Sequence, residues 1–249
     1  MGMKKVINVV LAAIALTGCQ QVSKNQINEQ AYAENEVNLR TQVSKKLKSG
    51  AYAQSLEPLR TLVSDYPSSS QARVYLMELV HAEWQAGEYN AAVDTADQYL
   101  NLYPYEKNTD YILYIKAHAL MSKSSPGWLS QKVYSKGDST DISPLQKASQ
   151  TLSQLTENQP SSPYFKQSLA MQSKINQHLS DHYYQIAVYY RSTGAYTASQ
   201  ERLKQSIAHT EQQESKQKAY HLMKKNYQSM GLKQDANAIK TIASVGQAQ

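Results

Sequence analysis

The 249-residue chain holds one cysteine, one phenylalanine and two tryptophans. A lone cysteine excludes an internal disulfide framework. Long apolar runs are missing as well. The one candidate, Val6 to Leu16, is broken by Asn8 and is too short to span a bilayer. Period-two strand patterns are absent, and so are G-x-S-x-G, P-loop, H-E-x-x-H and C-x-x-C motifs. The net charge of +6 is modest and spread along the chain, without an Arg-rich helix or basic–aromatic interleaving. That pattern argues against nucleic-acid binding.

What is present is a repeat frame. Gly50–Ala51–Tyr52 leads to Pro67, and Gly87–Glu88–Tyr89 leads to Pro104, the second copy 37 residues after the first. Glycine takes the left-handed conformation that ends one helix, the tyrosine packs into the seam, and proline stops the next helix. A period near 34 with this punctuation predicts tetratricopeptide-type helix–turn–helix units, which must stack to bury their apolar stripes. At 18% charged and 41% hydrophobic residues, the composition supports a packed core. The nineteen tyrosines read as seam packing rather than ligand stacking.

The N-terminus reads as a lipoprotein signal peptide over residues 1–18. Lys4 and Lys5 precede the apolar run, and Leu16–Thr17–Gly18–Cys19 resembles a bacterial lipobox. Cys19 is then the lipidated first residue of the mature chain, anchored without spanning the membrane. Gln20 in place of an aspartate favours the outer membrane. Residues 19–33 read as a flexible polar tether, and 34–249 as the repeat domain.

Five helix pairs are expected. The first joins a helix from about Glu34 to Ser49, with Val37, Val43 and Leu47 apolar, to one from Tyr52 to Tyr66. The second opens at Ser69 or Ser70, either a suitable N-cap. The third opens at Thr109–Asp110, and its partner helix starts near Pro144. Between them, residues 123–142 form a loop around Trp128, which either folds back on the body or meets a partner. From Pro163 to about Thr193 the helical period runs uninterrupted, with Leu169 among its apolar positions, and predicts a long bracing helix. Gly194–Ala195–Tyr196 repeats the punctuation, but Glu211 replaces the closing proline. A last pair, Lys216–Met230 and Lys233–Ser244, turns at Gly231 and caps the array.

Chemistry-bearing residues do not converge. His178 and His182 share one helix face at i, i+4, a geometry able to hold a metal, but only Asp181 is near, so they read as a solvated face. Asp94 and Asp97, and Glu211 and Glu214, read as exposed helix charges. The sequence therefore predicts no enzyme, no metal and no cofactor beyond the lipid on Cys19. It predicts a binding surface.

Four stretches carry a family resemblance: Gly50-x-Tyr52 through Asp65–Tyr66–Pro67; Asn108-x-Asp110–Tyr111-x-x-Tyr114; Pro160–Ser161–Ser162–Pro163–Tyr164; and Ile186–Ala187–Val188–Tyr189–Tyr190 with Gly194–Ala195–Tyr196. Together with the lipobox they resemble the BamD (YfiO-like) family of outer-membrane assembly lipoproteins. The resemblance implies a non-enzymatic subunit of the machinery that folds β-barrels into the outer membrane, facing the periplasm of a Gram-negative bacterium. It implies N-terminal repeats that receive unfolded barrel substrates and C-terminal repeats that dock the POTRA-bearing core subunit, with small accessory lipoproteins alongside. Arg202 falls where the family has an arginine that contacts the POTRA domain; a solvated helix residue is the other reading.

Some positions depart from the family pattern. Ser70 and Gln71 stand where a proline and a tyrosine are common, Tyr183 replaces a glutamate, and Thr193 an arginine. The alternative function is a periplasmic repeat-scaffold lipoprotein acting as adaptor for a cell-wall hydrolase or protease. A weaker third is an accessory that lends an enzyme a catalytic residue.

Overall fold

The computed structural model describes residues 29–123 and 141–245, with side chains to 243. The signal peptide, Cys19, most of the expected tether and the loop around Trp128 lie outside them. The described residues hold ten helices and no strand. The chain divides into two compact units, Met1–Gly87 and Glu88–Gln249.

The first unit contains α1 (residues 29–48), α2 (Tyr52–Asp65) and α3 (Ala72–Gln85). α1 begins before the expected Glu34, so residues 29–33, read as tether, are helical. Gly50, at φ 72, ends α1 through a Schellman pair: Ala51 N–H donates to Lys46 O at 2.9 Å and Gly50 N–H to Leu47 O at 3.1 Å. Leu56, Leu59 and Leu62 of α2 recur at i, i+3, i+6 and pack with Val43, Tyr75 and Leu79 into one core. Val37, expected on the apolar stripe, is instead 62% exposed. Pro58 sits inside α2, where its missing N–H orphans the carbonyl of Gln54. Lys46 of α1 donates its Nζ to that carbonyl at 2.8 Å.

The second unit runs α4 (Tyr89–Leu102), α5 (Thr109–Lys123), α6 (Ser143–Asn158), α7 (Phe165–Ser192), α8 (Tyr196–Ala208), α9 (Gln213–Ser229) and α10 (Lys233–Val245). Each packs on the next, and α7 also touches α9. α6 starts at its first-turn Pro144, with Asp141 Oδ1 accepting from Ser143 N–H at 2.9 Å. α7 has 28 residues, about 42 Å of helix. Its Met171, Ile175, Leu179 and Tyr183 enter a core with α5 and α6, and its Ala187 a second core with Leu203, Ala219 and Met223. The expected brace is therefore present within this unit, though Leu169 is 44% exposed rather than packed. The tyrosine expectation holds at Tyr66, Tyr75 and Tyr99, all buried.

A hydroxyl after the second helix of a pair fixes the next turn in three places. Ser69 Oγ, Ser162 Oγ and Thr210 Oγ1 each accept the N–H two residues on, at 3.1 Å. Each also donates back to the first helix of its own pair: Ser69 to Glu36 Oε1 at 2.5 Å, Ser162 to Asp110 Oδ2 at 2.7 Å, and Thr210 to Gln177 Oε1 at 2.8 Å. Ser69 is therefore not the N-cap of α3, nor is Ser70; Gln71 holds that position and makes no side-chain cap.

Candidate partner-binding surfaces

Arg202 lies in the second turn of α8, half-buried, and its Nη1 donates to Gln205 Oε1 at 2.7 Å. Among the described residues its guanidinium meets no carboxylate; the nearby Glu201 is taken by Lys204 at 3.5 Å. A planar fork of donors that meets no anion among the described residues is suited to a carboxylate from a partner.

The surroundings of Arg202 correct the histidine reading. His182 of α7 is only 7% exposed, and Tyr183 beside it stacks on His209 with ring centroids 5.5 Å apart. Gln146 of α6 donates to the Tyr183 hydroxyl at 3.1 Å, and Ser180 of α7 meets Ser206 of α8 at 3.1 Å. This stretch of α7 is therefore covered from two sides, not solvated. Burial first, then the charges of His178 and Arg202, hold the His182 imidazole below its usual range. Burial does the same to His178, against the opposing pull of Asp181. No group of three or more His, Cys, Asp or Glu among the described residues can hold a metal ion. Asp97, half-exposed, and Glu211 and Glu214, exposed, stay at the surface as expected, and they pair with Lys116, Lys216 and Lys218 at 2.5, 2.9 and 2.7 Å.

Next to this site a buried polar chain ties three helices. Arg191, at the end of α7, donates to Asn226 Oδ1 of α9 at 2.5 Å and lies over the Tyr196 ring at 5.7 Å. Asn226 Nδ2 donates to Ser199 Oγ of α8 at 2.8 Å, and Ser199 donates on to Ala187 O at 2.7 Å. Tyr196, Ser199 and Arg191 thus give the Gly194–Ala195–Tyr196 turn one geometry.

Two of the motif stretches meet in space. Tyr164 stacks on Tyr114 at 4.8 Å and tilts against Tyr111 at 5.6 Å, while Ser162 bonds Asp110. In the first unit, Glu36 accepts from Ser69 and from the Tyr75 hydroxyl, and these bonds, ahead of the Arg40 charge, hold its carboxyl below the usual range despite burial. Arg40 lies over the Tyr75 ring at 5.2 Å and donates to Gln71 Oε1 at 3.0 Å. Gln71, one of the departures from the family pattern, is thus tied to α1 through Arg40.

The family model described as YfiO, outer membrane lipoprotein, matches residues 32–242. The chain belongs to this family.

Relatives agree along most of its length. The outer membrane protein assembly factor BamD of Pasteurella multocida (strain Pm70) is 26% identical over 186 residues, 75% of this chain and 71% of that protein. The Haemophilus influenzae (strain ATCC 51907 / DSM 11121 / KW20 / Rd) protein of the same name is 24% identical over 255 residues, covering 98% of this chain and 95% of its own. That of Neisseria meningitidis serogroup A / serotype 4A (strain DSM 15465 / Z2491) is 23% identical over 238 residues, 92% and 86%. Among solved structures, MamA from Desulfovibrio magneticus RS-1 aligns over 86% of this chain and 96% of its own at 14% identity and a TM-score of 0.38, too loose a match to inform function. No described helix of this YfiO-family chain is long and apolar enough to cross a membrane.

The family resemblance pointed to Arg202 and not to Arg191 or Asn226. The signal for both is weak: an arginine just before a glycine turn, and an asparagine on the Ala219, Met223, Asn226 stripe where an apolar residue belongs.

Proposed function

We propose that this chain is a non-enzymatic, lipid-anchored subunit of the machinery that assembles β-barrels into the outer membrane, anchored through Cys19 and facing the periplasm. Its N-terminal repeats receive unfolded barrel proteins, and its C-terminal repeats dock the POTRA-bearing core subunit, with accessory lipoproteins beside them. The observation that carries the reading is the family match over residues 32–242, joined by relatives that share the name of outer membrane protein assembly factor. The geometry supports it at Arg202, whose guanidinium meets no carboxylate among the described residues.

The test is co-purification of the full-length lipoprotein from crosslinked membranes. The POTRA-bearing barrel is the expected dominant partner. Arg202→Glu reverses the charge at the docked pair and should cost about 2 kcal/mol or more of docking free energy, roughly thirtyfold in affinity. Depletion of the chain should lower outer-membrane barrels together. Recovery of cell-wall hydrolases, with barrel levels unchanged on depletion, would overturn the reading in favour of an adaptor.

A further inference from the structure

α1 carries its charge unevenly. Its first half holds Glu29, Glu34 and Glu36, whereas residues 37–48 hold Arg40, Lys45, Lys46 and Lys48 with no carboxylate. Packing sorts these groups further. Val43, with Leu39 and Leu47, faces the core shared with α2 and α3. Lys46 donates to Gln54 O of α2, and Glu36 accepts from Ser69 and Tyr75. The face left outward is a shallow groove of about 630 Å³ lined by Val37, Arg40, Thr41, Ser44, Lys45 and Lys48. Arg40 lies over the Tyr75 ring and bonds Gln71, and its charge acts on Glu36 and Glu78. Lys45 and Lys48 are exposed, and among the described residues neither is in an ion pair.

The occupant follows from this charge and from where the chain leads. A cationic, polar lining around one exposed valine suits a phosphate-bearing surface, and it lacks the apolar stripe of a helix that inserts. The ten residues from Cys19 to Asn28 contain Lys24 and no carboxylate, so they cannot neutralise the groove. Fully extended, such a stretch reaches at most about 36 Å. A lipid on Cys19 therefore keeps α1 within that distance of a bilayer. Tethering makes the contact intramolecular, so a patch of few charges is enough to form it. Basic residues held near a membrane are attracted to anionic lipid within about a Debye length, roughly 8 Å.

We propose that the outward face of α1 lies on the anionic phospholipid surface of the membrane that holds the lipid anchor. Lys45 and Lys48 face lipid phosphates, and the headgroup layer covers Val37, the valine that the core leaves out. The contact rests on the Cys19 anchor proposed above and does not depend on the chain's protein partners.

The test uses the full-length lipoprotein in vesicles. Cys19 is the only cysteine and is acylated, so Thr41→Cys supplies a single thiol for an environment-sensitive fluorophore. Vesicles of phosphatidylcholine, with or without phosphatidylglycerol, carry a headgroup spin label as quencher. Quenching should be roughly threefold greater with phosphatidylglycerol, and the difference should vanish in molar salt, where the Debye length falls to about 3 Å. Lys45→Gln with Lys48→Gln, which places no new carboxylate at the helix C-terminus, should lower the ratio of membrane-apposed to free α1 roughly tenfold. The salt response of the parent tests the contact even if the double change unfolds α1. Equal quenching in the two vesicles, or quenching that salt and the lysine changes leave intact, overturns the proposal. So does a fluorophore shielded from water but not quenched by the lipid label, because a protein segment or a second copy then covers the groove. A chain that floats with the vesicles and gives any of these results leaves the anchor standing. One that floats with neither vesicle refutes the anchor and the contact together.

Discussion

Replacing Asn226 by alanine should destabilise the second unit by about 2–3 kcal/mol. The side chain is fully buried and serves as both acceptor and donor, taking a bond from Arg191 at 2.5 Å and giving one to Ser199 at 2.8 Å. A bond to a charged guanidinium is worth roughly 1.5–3 kcal/mol and a neutral one about 1. The cavity adds to this loss, whereas Arg191 is half-exposed and recovers part of its hydration. Urea unfolding of the full chain in mild detergent, followed by far-ultraviolet circular dichroism, measures the change. With a slope of about 1–3 kcal/mol per molar urea, the midpoint should drop by about 1 M or more. Ser199→Ala removes the other end of one bond, so the double variant should lose about 1 kcal/mol less than the two singles added. Asn226→Asp keeps an acceptor for Arg191 but loses the donor to Ser199, and its midpoint should fall between those of the parent and the alanine variant. A stability within 0.5 kcal/mol of the parent for Asn226→Ala, or strict additivity with Ser199→Ala, would refute the assignment of a coupled polar chain (thresholds of the order expected for measurable coupling).

Acid should weaken the fold in a defined window. Burial holds His81, His118, His178, His182 and His209 below the ordinary 6.5, so the folded state favours the neutral rings. The unfolded chain takes up protons first, so stability that is complete above 6.5 declines as pH falls below it, until the folded rings also protonate. Thermal melts at successive pH values should show the fall, and His182→Gln with His209→Gln should flatten it. An unchanged melting temperature across that window would count against the buried imidazoles. Glu36 acts lower: its carboxyl is held below the ordinary 4.5, so its contribution is present above that value and lost only as pH drops through its folded pKa. Gly194→Ala should cost about 1 kcal/mol, because φ is 79 but no atom lies within 4 Å of the added methyl, leaving backbone strain as the sole penalty. A loss several times larger in the same urea assay would mean that the turn depends on contacts beyond its backbone conformation.

What was legible in the sequence is what the chain decides locally. Gly50, Gly87, Gly194 and Gly231 all take positive φ, because a helix that stops and reverses needs a residue free of the Cβ clash, and that need is met within a few positions. Arg202 was named only through the family resemblance, by its position eight residues after the glycine of such a turn. What required the fold is pairing between residues far apart along the chain. Ser69 looks like an N-cap from its neighbours, and only the return of α1 supplies Glu36 as its acceptor. The i, i+4 spacing of His178 and His182 fixes a shared face but not what covers it; α6 and α8 do.

The charge pattern makes the same point. Read in order, Arg191 is separated from Lys224 by a stretch that holds Glu201, Glu211 and Glu214, whereas residues 215–234 hold five lysines and no carboxylate. Packing of α7 against α9 adds Arg191 to that run through its bond to Asn226. The acids lie in and after α8, where lysines 204, 216 and 218 neutralise them, while the cations of α7, α9 and α10 are gathered toward the glycine turns. A repeat array converts distance along the chain into position along its helices, so an excess of charge at one end arises from which turn of each helix carries it. A charge-reversal series down α9 therefore separates position from net charge: Lys225→Glu and Lys218→Glu change the total equally. The second should disturb the ion pair with Glu214, which the first leaves intact.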